Sequence, residues 1–268
     1  MRDKVCIITG ASSGIGKALA FELADQKAKI VLAARNEQEL NTIKSQIEKS
    51  GIEILVVKTD VSIEAECKNL VEQTLNRFHK IDVLINNAGI SMRAVFEDVD
   101  LIVLKKLMDI NFWGTVYCTK YALPFLLESK GSLTGVSSIA GYKGLPGRTG
   151  YSASKFAMQG FLEVLRIENL KKDLHVLIAC PGFTASNIRN TALAKDGSMQ
   201  GESPRNEDKM MQADEVAKKI VRAIQKRENS IILTSQGKMT VMLNKFFPKF
   251  MDKMVYNHMA KEPNSPLK

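Results

Sequence analysis

The sequence predicts a doubly wound α/β fold, a parallel seven-stranded sheet with helices on both faces. Short runs of Val, Ile and Leu alternate with longer stretches of helical periodicity. The runs are continuously apolar, as in parallel strands covered on both faces. The residue clusters with chemical character all follow a run directly, at the carboxyl ends of strands, where such sheets bind ligands.

In chain order, a first strand at Val5–Thr9 leads through Gly10, Gly14 and Gly16 into a helix over Ile15–Gln26. Strands at Lys29–Ala33 and Ile54–Lys58 alternate with helices at Gln38–Lys49 and Glu64–Phe78. The fourth strand, Val83–Asn86, ends in Asn-Asn-Ala-Gly, and a long helical pattern follows over Leu101–Leu127. The fifth, Leu133–Val136, runs into Ser137 and Ser138 ahead of a helix over Ser152–Lys171. The sixth, Val176–Ala179, precedes Pro181 and Gly182, and Ala213–Lys226 is the helix before the last strand, Ser230–Leu233.

The chain has 268 residues, 45% hydrophobic and 25% charged, enough for one domain with a sizeable core. No Pro/Gly/Ser-rich linker divides it, so residues 1–235 read as a single domain and 236–268 as a C-terminal extension. Cys6, Cys67, Cys118 and Cys180 lack metal or redox spacing and read as reduced small hydrophobes, with no metal expected. A first strand beginning near Lys4 leaves no signal peptide, and no apolar run nears the roughly 20 residues of a spanning helix. A cytoplasmic location is expected. The net charge of +9 is uneven: residues 216–268 hold eleven Lys/Arg against three Asp/Glu, leaving 27 against 26 for residues 1–215. That asymmetry disfavours a nucleic-acid binder.

Tyr151 and Lys155 stand four residues apart, about one helical turn, so both project from one face. An ammonium beside a phenol stabilises the phenolate, which is expected to draw the tyrosine pKa down from about 10. A phenol so adjusted can serve as a general acid/base. Gly10, Gly14 and Gly16 let the backbone approach a ligand where the helix start offers free N–H groups to a pyrophosphate. The second strand ends in Ala34 and Arg35 with no acid before Glu37, which suits a ribose 2′-phosphate and favours NADP over NAD. Arg35 read alone is an ordinary loop charge. Asp60 could accept from the adenine amino group or serve only as a cap before Ser62.

Taken together, TGASSGIG, NNAG, Asn111 in the long helix, GVSSIAG, YSASK and PGFTAS resemble the short-chain dehydrogenase/reductase family over roughly residues 3–235. The resemblance implies a Rossmann-type fold and hydride transfer between a nicotinamide cofactor and a carbonyl or alcohol. It implies that Tyr151 is the proton donor, that Lys155 tunes it and binds the nicotinamide ribose, and that Ser138 donates to the substrate oxygen. Asn111 would hold a water through its backbone, and Ser137 competes with Ser138 for its role. Gly10, Ser12, Ser13, Gly14, Ile15 and Gly16 would hold phosphates and ribose, and Asp60 with Val61 the adenine. Asn87, Ala88 and Gly89 would contact the adenosine ribose, and Pro181, Gly182, Thr184 and Ser186 the nicotinamide end. Two departures stand out: Ser13 replaces a second cation common in NADP-preferring members, and Ser186 replaces a threonine.

Substrate contacts are expected from Met92, Leu145 and Phe183, with Phe96 beside them, and from a lid over about residues 184–212. These side chains suggest an apolar or amphipathic substrate, or routine loop packing. In the tail, Met239, Met242, Leu243, Phe246, Phe250 and Met254 form an apolar stripe, and Lys245, Lys249 and Lys253 line another face. Pro248 should divide it into two short helices. That stripe could pack on the core, near the substrate pocket or at a second subunit, or rest on an anionic membrane. A homodimer or homotetramer through the helices carrying Asn111 and Tyr151 is a further implication of the family. The alternatives to an enzyme of this kind are a nucleotide-sensing or scaffold protein without turnover, which has no need of Asn111, Ser138, Tyr151 and Lys155 together, and a relative catalysing epimerisation or dehydration, which the glycine spacing and compact length disfavour.

Overall fold

The computed structural model of the chain describes residues 1–201, 203 and 210–268. Among these, seven strands form one parallel sheet: β1 (Val5–Thr9), β2 (Lys29–Ala34), β3 (Ile54–Lys58), β4 (Val83–Asn86), β5 (Ser132–Val136), β6 (His175–Cys180) and β7 (Ser230–Ile232). Their spatial order is β3-β2-β1-β4-β5-β6-β7. The order reverses between β1 and β4, where Ile7 lies opposite Leu84. At such a switch point the flanking loops splay apart and leave a crevice.

Alternation along the strands feeds two apolar layers. Cys6 and Ile8 of β1 point into one, with residues of α1 (Gly14–Asp25), α2 (Glu37–Glu48) and α7 (Ala213–Gln225). Val5 and Ile7 point into the other, with α3 (Glu64–Phe78), α5 (Gly114–Glu128) and α6 (Thr149–Glu168). Burial on both faces explains why the strands read as unbroken apolar runs. The amino-terminal edge is braced by Asp82, 3% exposed, which accepts from Lys4 Nζ at 2.8 Å, Lys80 Nζ at 2.9 Å and the Val5 amide at 2.9 Å. Burial raises the Asp82 pKa, but those hydrogen bonds and the Lys4 charge outweigh it and hold the carboxyl below its ordinary value.

The long helix expected over Leu101–Leu127 is interrupted. It divides into α4 (Leu101–Met108), a π-helical turn at Asp109–Trp113, and α5. A π turn adds a residue to the helical circuit, and such bulges gather at functional sites. This one carries Asn111, wholly buried.

The tail forms α8 (Ser235–Phe246) and α9 (Pro248–Ala260), with Pro248 in the first turn of the second helix as its missing N–H predicts. Thr234 caps α8, its Oγ1 accepting from the Gly237 amide at 3.0 Å. The helices dock across the carboxyl end of the sheet. Asn244 Nδ2 donates to the Tyr142 carbonyl at 3.2 Å, and Lys143 pairs with Asp252. Most of the expected apolar stripe does not pack inward: Met239, Met242, Phe246 and Phe250 stay exposed, Met254 is exposed at the rim of a cleft and Leu243 is half-buried, whereas Met251 and Met259 are buried. The inward face of α9 therefore follows Met251, Val255 and Met259 at the i, i+4 spacing. No helix among the described residues is long and apolar enough to cross a membrane.

Candidate active site

One cleft of about 570 Å³ opens above the switch point. Its floor at the first strand is shaped by close backbone approach. Gly10 has φ of +65°, and a Cβ there would lie 2.8 Å from the Ala88 Cα. Gly16 lies behind the cleft wall, where a Cβ would meet the Gly10 carbonyl oxygen at 2.2 Å, so it acts by letting α1 press against the turn. Thr9 Oγ1 accepts from the Asn87 and Ala88 amides at 3.0 Å each, and Asn87 Nδ2 donates to the Thr9 carbonyl at 2.9 Å. The turn after β1 is thereby clasped to the turn after β4.

Ser12, Ser13, Gly14 and Ile15 line the cleft at the start of α1. Ser13 makes no side-chain cap and the first turn holds no acid, so its N–H groups and positive dipole face the cleft. This cradle fits a dinucleotide pyrophosphate. At the adenine end, Arg35 Nη1 lies 4.0 Å from Asp60 Oδ2 with its side chain 60% exposed. Asp60 Oδ1 accepts from the Ser62 amide at 3.0 Å and hydroxyl at 2.7 Å, the local turn foreseen as its non-ligand role, although α3 starts later, at Glu64. Val61, Ala88 and Gly89 also line the cleft, and Ser186 packs over Gly14, where a Cβ would meet its own at 3.2 Å.

The tyrosine end is built from β5 and α6. Lys155 Nζ donates to the Val136 carbonyl at 2.9 Å and lies 5.8 Å from the Tyr151 ring centroid. Ser138 lies close enough to the Tyr151 phenol to act on it electrostatically, and its Oγ accepts from the Ala140 amide at 3.1 Å. Ser137 turns away, its Oγ accepting from Gln159 Nε2 at 2.8 Å. Asn111 does not line the cleft. Its Oδ1 accepts from the Ile90 amide at 2.8 Å while its Nδ2 donates to the Ile90 carbonyl at 3.0 Å and Ser154 Oγ at 2.9 Å. The residue thus braces the loop after β4 against α6, and its carbonyl accepts from Thr115 Oγ1 at 3.0 Å.

The expected direction of the tyrosine shift is reversed in this arrangement. Burial raises the Tyr151 pKa, outweighing the Ser138 hydroxyl and the charges of Arg148 and Arg189, which lower it. Lys155 is directed at a carbonyl rather than the phenol, and burial lowers its own pKa to about 8. The two arginines were not singled out in the sequence, although Arg148 stands at the N-cap of α6, three residues before the tyrosine; Arg189 lies far along the chain, in the loop after β6.

Pro181, Gly182, Phe183, Thr184 and Leu145 also line the cleft. Met92 does not. It is wholly buried beside Val103, Leu107 and Leu193, and its sulfur accepts from the Gly150 amide at 3.3 Å, because the loop after β4 tucks beneath Leu193. Phe96 is 59% exposed and outside the cleft. Of the expected lid, Arg189 donates to the Thr184 carbonyl at 2.7 Å and Met199 borders the cleft; Asn206 lies outside the described residues. The outer wall comes from the tail, one of the placements open for it: Gln236 and Thr240 of α8, and Met251, Met254, Val255 and His258 of α9.

The lowered Lys155 pKa has a measurable consequence. Below pH 8 both folded and unfolded states hold the proton, so stability carries no slope from this group. Between about 8 and 10.4 the unfolded chain binds more protons, so stability rises with pH by up to about 1.4 kcal/mol per unit. Lys155→Met is expected to lack this rise. Denaturant unfolding of both proteins from pH 7 to 10 checks it, and parallel curves would exclude the shift.

A family model described as short chain dehydrogenase matches residues 4–197. An 11-beta-hydroxysteroid dehydrogenase A of Sesamum indicum is 42% identical over 187 residues, 69% of this chain and 53% of that protein. A dehydrogenase/reductase SDR family protein 7-like of Dictyostelium discoideum is 34% identical over 258 residues, 94% of this chain and 80% of its own. The chain spans between 53% and 65% of the length of the plant hydroxysteroid dehydrogenase relatives it matches first. An alcohol dehydrogenase from Thermococcus sibiricus, solved with 5-hydroxy-NADP, superimposes with a TM-score of 0.77 at 25% identity, over 87% of this chain and 96% of that one. A short chain dehydrogenase/reductase of Burkholderia phymatum, solved with NAD, shares the fold with a TM-score of 0.83 at 24% identity, over 93% and 95% of the two chains. The matched segment runs unbroken from the glycine turn through the tyrosine helix into the loop after β6, and the chain belongs to the short-chain dehydrogenase/reductase family.

Proposed function

We propose that the protein is an NADP(H)-dependent oxidoreductase that interconverts a bulky apolar or amphipathic ketone and its secondary alcohol. The observation that carries this reading is the meeting of Ser138, Tyr151 and Lys155 in the cleft that also holds the glycine turn at its other end. A bound nicotinamide would supply and accept the hydride. Ser138 and Tyr151 present two hydroxyls to one oxygen, so both can hydrogen-bond the carbonyl as charge develops on it. Tyr151 then gives its proton to that oxygen, and in the oxidative direction receives it back. Arg148, Arg189 and Lys155 surround the phenol with positive charge, which favours the phenolate left after transfer. Gly10 to Ile15 would hold the pyrophosphate, and Asn111 would fix the distance between the β4 loop and the tyrosine helix.

The preference for NADP rests on Arg35 at the adenine end and on Ala34 in place of an acid. The bulky apolar substrate rests on the outer wall, where Met251, Met254, Val255, Leu145 and Phe183 offer adaptable apolar surface. The names of the plant relatives are consistent with a polycyclic alcohol of that kind. On this reading residues 1–235 are the catalytic domain, with a lid over about 184–212, and 236–268 an extension that completes its substrate wall. Exposed Trp113, Phe156, Val164 and Ile167 on the π turn and α6 suit a homodimer or homotetramer, which light scattering distinguishes from a monomer. Phe246, Phe247 and Phe250, exposed beside Lys245 and Lys249, suit peripheral contact with an anionic membrane.

Three outcomes are expected. Tyr151→Phe reduces carbonyl reduction, followed by NADPH loss, by at least about 100-fold while NADPH binding by titration persists. Retained turnover would remove the proposed acid, and wild-type protein that binds NADPH but reduces no carbonyl in a broad panel would leave the scaffold reading. Arg35→Asp raises the Kd for NADPH by about tenfold or more and that for NADH by far less, since one charged hydrogen bond to the 2′-phosphate is lost. Equal losses for both would place Arg35 outside the cofactor site. Full-length protein sediments with anionic vesicles at low salt, and Phe246→Glu with Phe250→Glu abolishes this. Wild-type protein left in the supernatant would exclude the membrane contact.

A further inference from the structure

The residues that close the cleft come from three separate parts of the chain, and one carboxylate joins them. Arg93 lies in the loop after β4, Arg148 immediately precedes α6 and stands three residues before Tyr151, and Glu262 follows α9. Glu262 Oε2 is 3.6 Å from Arg93 Nε and 3.4 Å from Arg148 Nη2, and all three side chains are at most 10% exposed. Arg93 also donates to the Pro263 carbonyl. Beyond it the chain folds back on itself: Ser265 Oγ bonds the Met259 carbonyl at 3.0 Å, and Pro266 sits 3.1 Å from where a Gly147 Cβ would be.

A carboxylate this buried is costly to desolvate, and only cations placed on it offset that cost. Apolar packing does not explain its position, because the segment after α9 is polar apart from Leu267 and its prolines. The helix just before it supplies Met251, Met254, Val255 and His258 to the outer wall. An ion cluster at the end of α9 therefore fixes how far that wall stands from Tyr151.

We infer that Glu262 is a positioning residue for substrate: by engaging Arg93 and Arg148 at once, it ties the carboxyl end of α9 to the loop after β4 and to the start of the tyrosine helix, holding the apolar wall over the reacting atoms. This inference rests on the proposed reduction of a bulky apolar ketone. A substrate large enough to reach α9 takes binding energy from the wall. A small ketone held only by Ser138 and Tyr151 does not. Loosening the latch should therefore raise KM for the large substrate selectively, and small displacements of such a surface suffice for large effects.

The test uses the full-length protein. Glu262→Gln removes the charge at constant size, and Glu262→Asp keeps the charge. Arg93→Met leaves one guanidinium per carboxylate and guards against a variant that fails to fold. Two readouts are taken: hydrogen exchange across residues 248–260 in the protein alone, and steady-state reduction of a cyclohexanone-sized and a steroid-sized ketone. Glu262→Gln is expected to speed exchange in α9 but not in the sheet. It is expected to raise KM for the large ketone by about tenfold, with kcat on the small ketone and the Kd of NADPH within about twofold. Glu262→Asp should recover most of the loss, and Arg93→Met should fall between. Unchanged exchange in α9 would overturn the inference, as would equal loss on both ketones with a lowered Tm, which marks a merely structural role. If Glu262→Gln does not fold, Arg93→Met decides by the same two readouts. Should wild-type protein reduce neither ketone, the functional reading fails, and the exchange measurement alone decides whether the latch exists.

Discussion

The clasp between the turns after β1 and β4 is the contact on which the rest of the cleft depends. Asn87 donates two hydrogen bonds to Thr9 across the switch point, from its amide and its side chain, and the Gly10 backbone reaches Ala88 closely enough that a single added methyl would collide. Reversal of strand order at β1 and β4 opens the crevice, and the clasp keeps it from opening further. From it, Asn111 carries the fixed geometry to α6 through Ile90 and Ser154, and so to Tyr151 and Lys155. The phosphate cradle and the proton-handling end are thus held in register by backbone amides and two asparagine side chains, groups whose positions do not vary with pH.

The electrostatics of the tyrosine end follow a different logic from the helical neighbour rule. Four residues of separation does bring Lys155 beside Tyr151, but proximity along a helix face does not set where the ammonium points. It points to the Val136 carbonyl, since a buried lysine needs an acceptor and the end of β5 supplies one. Positive charge on the phenol comes also from Arg148, at the start of the same helix, and from Arg189, which reaches the site only through tertiary folding. Burial outweighs all of these in direction, so the phenol's pKa lies above its ordinary value.

Much of the architecture was legible because it rests on local rules. Continuous apolar runs marked all seven strands to within a residue or so at each end, and Pro248 marked the division of the tail. The long helix was legible in extent but not in its π turn, because the extra residue at Asp109–Trp113 leaves helical periodicity nearly intact over a window. Cofactor-side positions were readable from glycines with a steric reason to be there, although Gly16 acts from behind the wall rather than at it. The substrate side was less so. Met92 and Leu145 look alike as loop hydrophobes, yet one is core and the other lines the cleft. In the tail, two apolar faces overlap in sequence, and the stripe with the aromatic residues drew attention while Met251, Val255 and Met259 faced inward.

The outer wall follows the nucleotide crevice along the chain, and this orders events during synthesis. All seven strands of the sheet and the glycine turn after β1 are translated before Ser235, whereas α8 and α9 emerge after them. Domains tend to form as the chain is made, amino-terminal parts first. A nascent chain halted near residue 235 would already contain the whole sheet and the dinucleotide cradle, with its substrate side open to water. The crevice is therefore complete in the chain before the wall that α8 and α9 add, and variation in residues 236–268 can reshape that wall without disturbing the crevice.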